Sequence, residues 1–363
     1  MGKRRSLVES MVNFDIYKDK KILVTGHTGF KGAWLSIWLH EIGAKVIGFS
    51  LEQYDNDYIF ESSDLKNLIV DERGDICNID RLKKIFAEHK PDIVFHLAAQ
   101  SLVRRSYKSP LETINVNVMG TANILECIRE STSVKAGIMV TTDKCYKNKE
   151  SRSGYMETDE LGGYDLYSIS KVCDELIIES YRNLFFSSKL IASARAGNVI
   201  GGGDFAEDRI VPDCIRALKK NKSIQIRNPY SVRPWQHVLD VVNGYLLLGK
   251  RLLEGDKNFS QAWNFAPNLE SVVTVKDIVN LVIEQWGTGR WVESKSKEGM
   301  VETKILTLNA NKAKKLLGWN PKLDIKEAVK KTVEWYKKSQ NSNSYELCAK
   351  QIREHMESVL INE

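Results

Sequence analysis

Tyr167 and Lys171 stand four residues apart in GGYDLYSISK. Four residues is about one helical turn, so on a helix both side chains leave the same face. An ammonium beside a phenol favours the phenolate. Such a phenol can take the proton of an alcohol while hydride departs from the same carbon. Hydride needs an acceptor, and the chain carries a place for one. Gly26, Gly29 and Gly32 of VTGHTGFKG join a short apolar run to a helical pattern, with Thr28 and Phe30 between them. In such a turn the first glycine allows the bend and the second lets backbone approach a pyrophosphate. The third lets helix pack on strand, and the helix N-terminus faces the anion. A second Tyr-x-x-x-Lys, Tyr17 to Lys21, precedes the first apolar run and lies away from any such crevice.

Other residues cluster after the predicted strands, where ligands of an open parallel sheet bind. Phe49-Ser50-Leu51-Glu52 carries no acid at the strand tip to grip a ribose; NAD is expected over NADP, although this spot does not settle it. Asp75, followed by Ile76, could reach an adenine or close a turn. Leu97, Ala98 and Ala99 are small enough to let a cofactor lie against the sheet edge, and Gln100 follows them. Thr142-Asp143-Lys144 follows the fifth strand. The threonine hydroxyl can bond the reacting oxygen, and the Asp–Lys pair can act as acid and base. A capped turn with a surface ion pair is the alternative.

The elements that must position these residues alternate. KKILVTG, AKVIGFS, a strand within LIVDERGDI, PDIVFHLAAQ and KAGIMVTTDKCY read as strands, and KLIASARAGNVIG carries strand and turn. GFKGAWLSIWLHEIG, IDRLKKIFAEHK, TINVNVMGTANILECIRES and YSISKVCDELIIESYRNLF read as the helices between them. That alternation predicts an α/β fold with a doubly wound parallel sheet and a smaller C-terminal lobe. The expected division is an N-terminal extension (1–19), a dinucleotide-binding domain (20–200, with 238–255 returning to it), a substrate lobe (201–340) and a loosely packed, charged helical tail (341–363). The 363 residues carry a formal charge of +6, but basic and acidic residues are interleaved, which argues against nucleic acid. The six cysteines show no CxxC or His/Cys spacing, so no metal site is expected and a cytoplasmic location is. No stretch is apolar enough to span a membrane. The basic start lacks the apolar core of a secretory signal.

Taken together, GHTGFKG at 26–32, TTDKCY at 141–146, YSISK at 167–171, ARAGNVIGGGD at 194–204 and RPWQHVLD at 233–240 resemble the extended short-chain dehydrogenase/reductase family. Within it they are most similar to the nucleotide-sugar dehydratases of the CDP-glucose branch. The resemblance runs from about Lys20 to Lys338. It implies NAD as cofactor and an internal redox cycle. Tyr167 takes the C4 hydroxyl proton as hydride leaves, a base takes the C5 proton, and Asp143 protonates the departing C6 hydroxyl. Hydride then returns at C6, giving a 4-keto-6-deoxy sugar for surface polysaccharide. Related dTDP-glucose enzymes have Thr-Asp-Glu where this chain has Thr142-Asp143-Lys144, so Lys144 is assigned the C5 base, provided that its pocket desolvates it. The resemblance also implies that Asn198 and Arg233 hold the sugar diphosphate, with Arg209, Arg227 and Arg104 nearby. Gln100 and His237 shape the sugar and nucleotide pocket. A homodimer through the 115–129 helix and the Tyr167 helix follows from the same resemblance. A 4-epimerase and a non-catalytic dinucleotide sensor are the competing readings.

Overall fold

The run KILVT forms β1 (Lys21–Thr25), and everything after its lysine is buried. A strand without apolar–polar alternation must be covered on both faces, and this one is. The computed structural model describes residues 14–52, 59–151, 153–294 and 305–361. After β1 come α1 (Phe30–Glu41), β2 (Lys45–Ser50), α2 (Ile59–Ser62), β3 (Val70–Arg73), α3 (Ile79–His89) and β4 (Ile93–His96). α4 (Val103–Lys108), α5 (Pro110–Ile114), α6 (Gly120–Glu130), β5 (Ala136–Val140), α7 (Leu166–Leu184) and β6 (Leu190–Ala196) follow. The rest comprises β7 (Asn198–Ile200), α8 (Ile210–Lys219), β8 (Ile224–Ile226), β9 (Val232–His237), α9 (Val238–Leu253) and β10 (Ala262–Phe265). β11 (Val272–Thr274), α10 (Val275–Trp286), β12 (Trp291–Glu293), α11 (Ile325–Lys338) and α12 (Ser344–Ile361) complete the chain.

Seven parallel strands run in the order β10-β6-β5-β4-β1-β2-β3. α1 and α9 cover one face; α3, α6 and α7 cover the other. The direction of winding reverses between β1 and β4, so the C-terminal ends of those strands open a crevice. The predicted α/β class and doubly wound sheet are therefore correct. The smaller lobe rests on a three-stranded sheet, β11-β9-β7, and a parallel pair, β8 and β12.

The structure refines the sequence reading at several points. LIASARAGNVI divides into a strand, a break and a second short strand. Gly197 ends β6, and β7 crosses to β9 of the smaller lobe. A Cβ at Gly197 would sit 2.9 Å from Pro234 Cγ and 3.1 Å from Asp143 Oδ2, so the crossing is close. The helix predicted over 113–131 is not uniform: residues 115–119 take a wider, i→i+5 turn between α5 and α6. That turn buries Asn117, which accepts from Gln100 N (2.8 Å) and donates to Gln100 O (3.1 Å) and Ser170 Oγ (2.8 Å).

Part of the 1–19 extension is packed, and the C-terminal tail is less loose than predicted. Phe14 and Tyr17 are buried, and Tyr17 Oη donates to Leu246 O at 2.6 Å, so this part of the extension is packed on α9. Residues 1–13 lie outside the described ones. The C-terminal tail docks on α1: Cys348, Ala349, Ile352 and His355 are buried, and Arg353 meets Glu41 at 2.7 Å. Its charges occupy the outward face, and the small and apolar residues, spaced at i, i+4, form the inward one. No helix among the described residues is long and apolar enough to cross a membrane.

Candidate active site

The glycine turn is shaped by contacts that exclude side chains. Gly26 has φ +75°, and a Cβ there would stand 2.7 Å from Ala98 N; at Gly32 it would stand 2.0 Å from Gly26 O. The loop is thus pressed between the end of β4 and the start of α1. No side chain caps α1 at Gly29, which leaves its first amides pointing at the crevice. Thr28 N donates to Ser50 Oγ at 3.5 Å, which brings the tip of β2 beside the turn. Asp75 is exposed beyond β3, on the same edge of the sheet, with Oδ1 accepting from Cys77 N at 2.8 Å. Ile76 turns inward instead. Its side chain packs on Gly120, and its carbonyl accepts from Asn123 at 3.0 Å. This set fits a dinucleotide: backbone donors, a close approach without side chains, and polar groups along one edge.

A cavity of about 1090 Å³ opens beside the turn. Tyr167 lines it from the first turn of α7, which Asp165 caps by accepting from Ser168 N (2.9 Å) and Ser168 Oγ (2.7 Å). Lys171 lies one turn deeper, with Nζ 2.7 Å from Asp174 Oδ2. Thr142, Asp143 and Lys144 line the same cavity from the loop after β5. Thr142 Oγ1 donates to Asp143 Oδ1 at 3.0 Å, and Lys144 Nζ lies 3.6 Å from that oxygen. Asp143 is buried, and its Oδ2 has no hydrogen-bond partner among the described residues. A buried acceptor left open at a cavity wall suits a ligand hydroxyl.

Two buried groups lock the loop to the Tyr167 helix. Glu175 of α7 accepts from Thr141 Oγ1, from Ser193 Oγ (2.7 Å) and from Arg195 (2.8 Å). Burial opposes the Glu175 charge, but Arg195 together with Thr141 and Ser193 offsets it and holds the carboxyl below its ordinary value. Arg195 also donates to Tyr146 Oη at 2.7 Å.

At the far end, Arg104 and Arg227 both reach Asp208 Oδ1 at 3.2 Å. Arg209 meets Asp204 at 2.9 Å and Ser101 Oγ at 3.0 Å. Arg233 lines the cavity while donating to Val232 O at 2.8 Å. Asn198 lines it too, with a buried Oδ1 that lacks a partner among the described residues.

A model of the family described as GDP-mannose 4,6 dehydratase matches residues 23–332. The chain belongs to that dehydratase family. It is 42% identical over 347 residues to the CDP-glucose 4,6-dehydratase of Salmonella typhimurium, covering 94% of this chain and 97% of that one. A solved UDP-glucose 4-epimerase from Thermotoga maritima aligns over 88% of this chain and 100% of its own, with 25% identity and a TM-score of 0.75. The dTDP-glucose 4,6-dehydratase DesIV from Streptomyces venezuelae shares the fold at 21% identity and a TM-score of 0.76, covering 88% of this chain and 97% of its own.

In this dehydratase-family chain two residues expected at the substrate lie away from the cavity wall. His237 does not reach the cavity. It is fully buried, caps α9 by accepting from Leu239 N at 3.3 Å, and meets the Trp34 ring edge-on. Burial, with His355 and Lys331 nearby, drops its imidazole to about 3, so it stays neutral. Gln100 is buried, and its amide is taken up by Thr113 (2.8 Å) and Leu102 N (2.7 Å). Lys144 lines the cavity with 32% of its side chain exposed.

The sequence reading also missed Lys31, which lines the cavity from within the glycine turn. Burial, Arg209 and Lys171 lower its amine to about 8 against the opposing pull of Asp143 and Asp204. A charged residue between Phe30 and Gly32, where an apolar helix begins, was the available signal.

Proposed function

We propose that this chain is an NAD-dependent CDP-glucose 4,6-dehydratase. The observation that carries the reading is that Tyr167, Thr142 and the Asp143–Lys144 pair open on one cavity beside the glycine turn. Gly26, Thr28, Gly29, Phe30 and Gly32 would hold the pyrophosphate of NAD, with Ser50, Asp75, the Ile76 backbone and Leu97 to Ala99 along its adenosine and sheet-edge side. Lys171 and Tyr167 would meet the nicotinamide ribose. When bound, NAD accepts hydride from C4 of the hexose and returns it at C6.

The chain's own residues manage the protons. Thr142 donates to the C4 oxygen, and Tyr167 takes the C4 hydroxyl proton. The resulting ketone acidifies C5–H. Lys144 removes that proton, and Asp143 protonates the C6 hydroxyl, which leaves as water; as hydride reaches C6, the Lys144 ammonium returns a proton to C5. For this, Lys144 must be an amine while Asp143 is an acid. The ion pair seen at 3.6 Å and that neutral pair differ only in the position of one proton. A sugar that displaces water from the exposed part of Lys144 favours the neutral form, because desolvation penalises charge. Asn198 and Arg233 would grip the diphosphate. Arginine suits this because its planar fork meets two phosphate oxygens at once. Arg104, Arg209 and Arg227 would supply further positive charge.

The test is a product assay on CDP-, dTDP-, GDP- and UDP-glucose. CDP-glucose alone is expected to give the ketosugar chromophore in alkali with loss of the C6 hydroxyl. A product that keeps its C6 hydroxyl would reject dehydration in favour of epimerisation.

We also propose a homodimer and a cytoplasmic location. Leu111, Ile114 and Met119 on one side, with Ile169, Leu176 and Leu184 of α7 on the other, form an exposed apolar face across helices that pack together. Such a face suits burial against a second copy. The paired changes Leu111→Glu and Leu176→Glu are expected to give a monomer in sedimentation analysis; an unchanged dimer would move the interface elsewhere. All six cysteines are free thiols, as a reducing compartment would keep them.

A further inference from the structure

Lys171 is one of the most sheltered cations in the chain, with a side chain only 5% exposed, and the acid that holds it lies on the same helix. Asp174 stands at i+3, is 1% exposed, and places Oδ2 2.7 Å from Lys171 Nζ. The groups around this ammonium come from three elements. α7 supplies Tyr167, Asp174 and Glu175. β4 supplies His96, whose imidazole is bonded to Thr25 (2.7 Å) and Thr121 (3.2 Å). Burial and the Lys171 charge bring His96 to about 3, so it adds no charge. α1 supplies Lys31, a second cation that repels the first. Cys173 is the neighbour of Asp174 on its own helix. Desolvation therefore works to discharge Lys171, and Asp174 is the foremost of the groups that oppose it.

We propose that Asp174 is a positioning residue for the phenol–amine pair: its carboxylate keeps Lys171 a buried ammonium directed at the Tyr167 side of the helix. A Tyr-x-x-x-Lys pair needs a charged lysine, and a lysine this deep would shed its proton without a carboxylate partner. The proposal rests on Tyr167 being the proton acceptor. It is independent of which nucleotide carries the sugar.

The experiment is a titration of Lys171 Nζ by ¹⁵N NMR in lysine-labelled enzyme without substrate, assigned with Lys171→Arg. In Asp174→Asn the ammonium is expected to titrate at least one pH unit lower than in the native chain. That corresponds to a tenfold loss of proton affinity. The alkaline limb of the kcat profile should move down by the same pH interval, with KM for the nucleotide sugar within twofold of native. Asp174→Glu should restore both. An unmoved lysine titration overturns the proposal, even if kcat falls, because the acid would then serve packing alone. A titration moved upward overturns it as well. If Asp174→Asn does not fold, the native chain still decides. A Lys171 that is already a neutral amine at about pH 9, below the ordinary lysine value, would sink the idea, and a persistent ammonium would support it. A product assay that failed on every sugar would leave this titration readable on its own.

Discussion

Replacing Tyr167 with phenylalanine should lower kcat by about 10²- to 10⁴-fold, the usual contribution of a positioned proton acceptor. In barrier terms this is roughly 3–5 kcal/mol. The ring stays in place, because the first turn of α7 is held by Asp165 and Ser168 rather than by the phenol. KM for the nucleotide sugar should therefore change little, and the melting temperature should stay within a few degrees of native. The step lost is the first one, so the variant should show no transient absorbance of reduced nicotinamide when mixed with CDP-glucose. A variant that still forms that transient at the native rate would remove Tyr167 from the proton path. The same result would shift attention to Lys31, the other sheltered proton carrier on the cavity wall.

Much of this site could be read before any fold was known, because its main parts are local. A strand, a glycine turn and a helix are contiguous, and a four-residue spacing places Tyr167 and Lys171 by helix geometry alone. The same rule at i+3 pointed to Asp174, which the sequence reading passed over. Residues whose role depends on distant partners were harder to see. Gln100 lies next to the crevice in sequence, yet Thr113 and Asn117, on a later helical segment, take up its side-chain amide and its backbone. His237 illustrates a second limit. Ser231, Arg233 and Trp235 line the cavity at every other residue of β9 and its approach, and His237 continues that alternation. The chain becomes helical at Val238, so the alternation ends and His237 is used as a cap. β10 escaped notice because AWNF is short. It earns its place in the sheet by pairing with β6 and by burying Trp263 against Phe259. The fate of Lys144 could not be read at all, since exposure depends on walls supplied by other parts of the chain.

The elimination half of the reaction can be separated from the oxidation half by two further variants. Asp143→Asn keeps the shape of the side chain, and Thr142 can still donate to its carbonyl oxygen. It removes the carboxyl bonded to that threonine, and with it the proton for the C6 hydroxyl. Water loss should slow by about 10²- to 10⁴-fold, while C4 oxidation by Tyr167 persists. Reduced nicotinamide should then accumulate, and deuterium from solvent should still enter C5, because the neighbouring amine remains. Lys144→Ala should do the opposite at C5: oxidation continues, but solvent exchange at that carbon stops. The two variants share one proton in the native pair, so their effects should not add, and the double variant should be little slower than the worse single one. Additive losses would mean that the two side chains do not share a proton, which would break the tautomer argument even if each residue proved essential. Continued C5 exchange in Lys144→Ala would transfer the base to another group on the cavity wall, with Lys31 the first to replace.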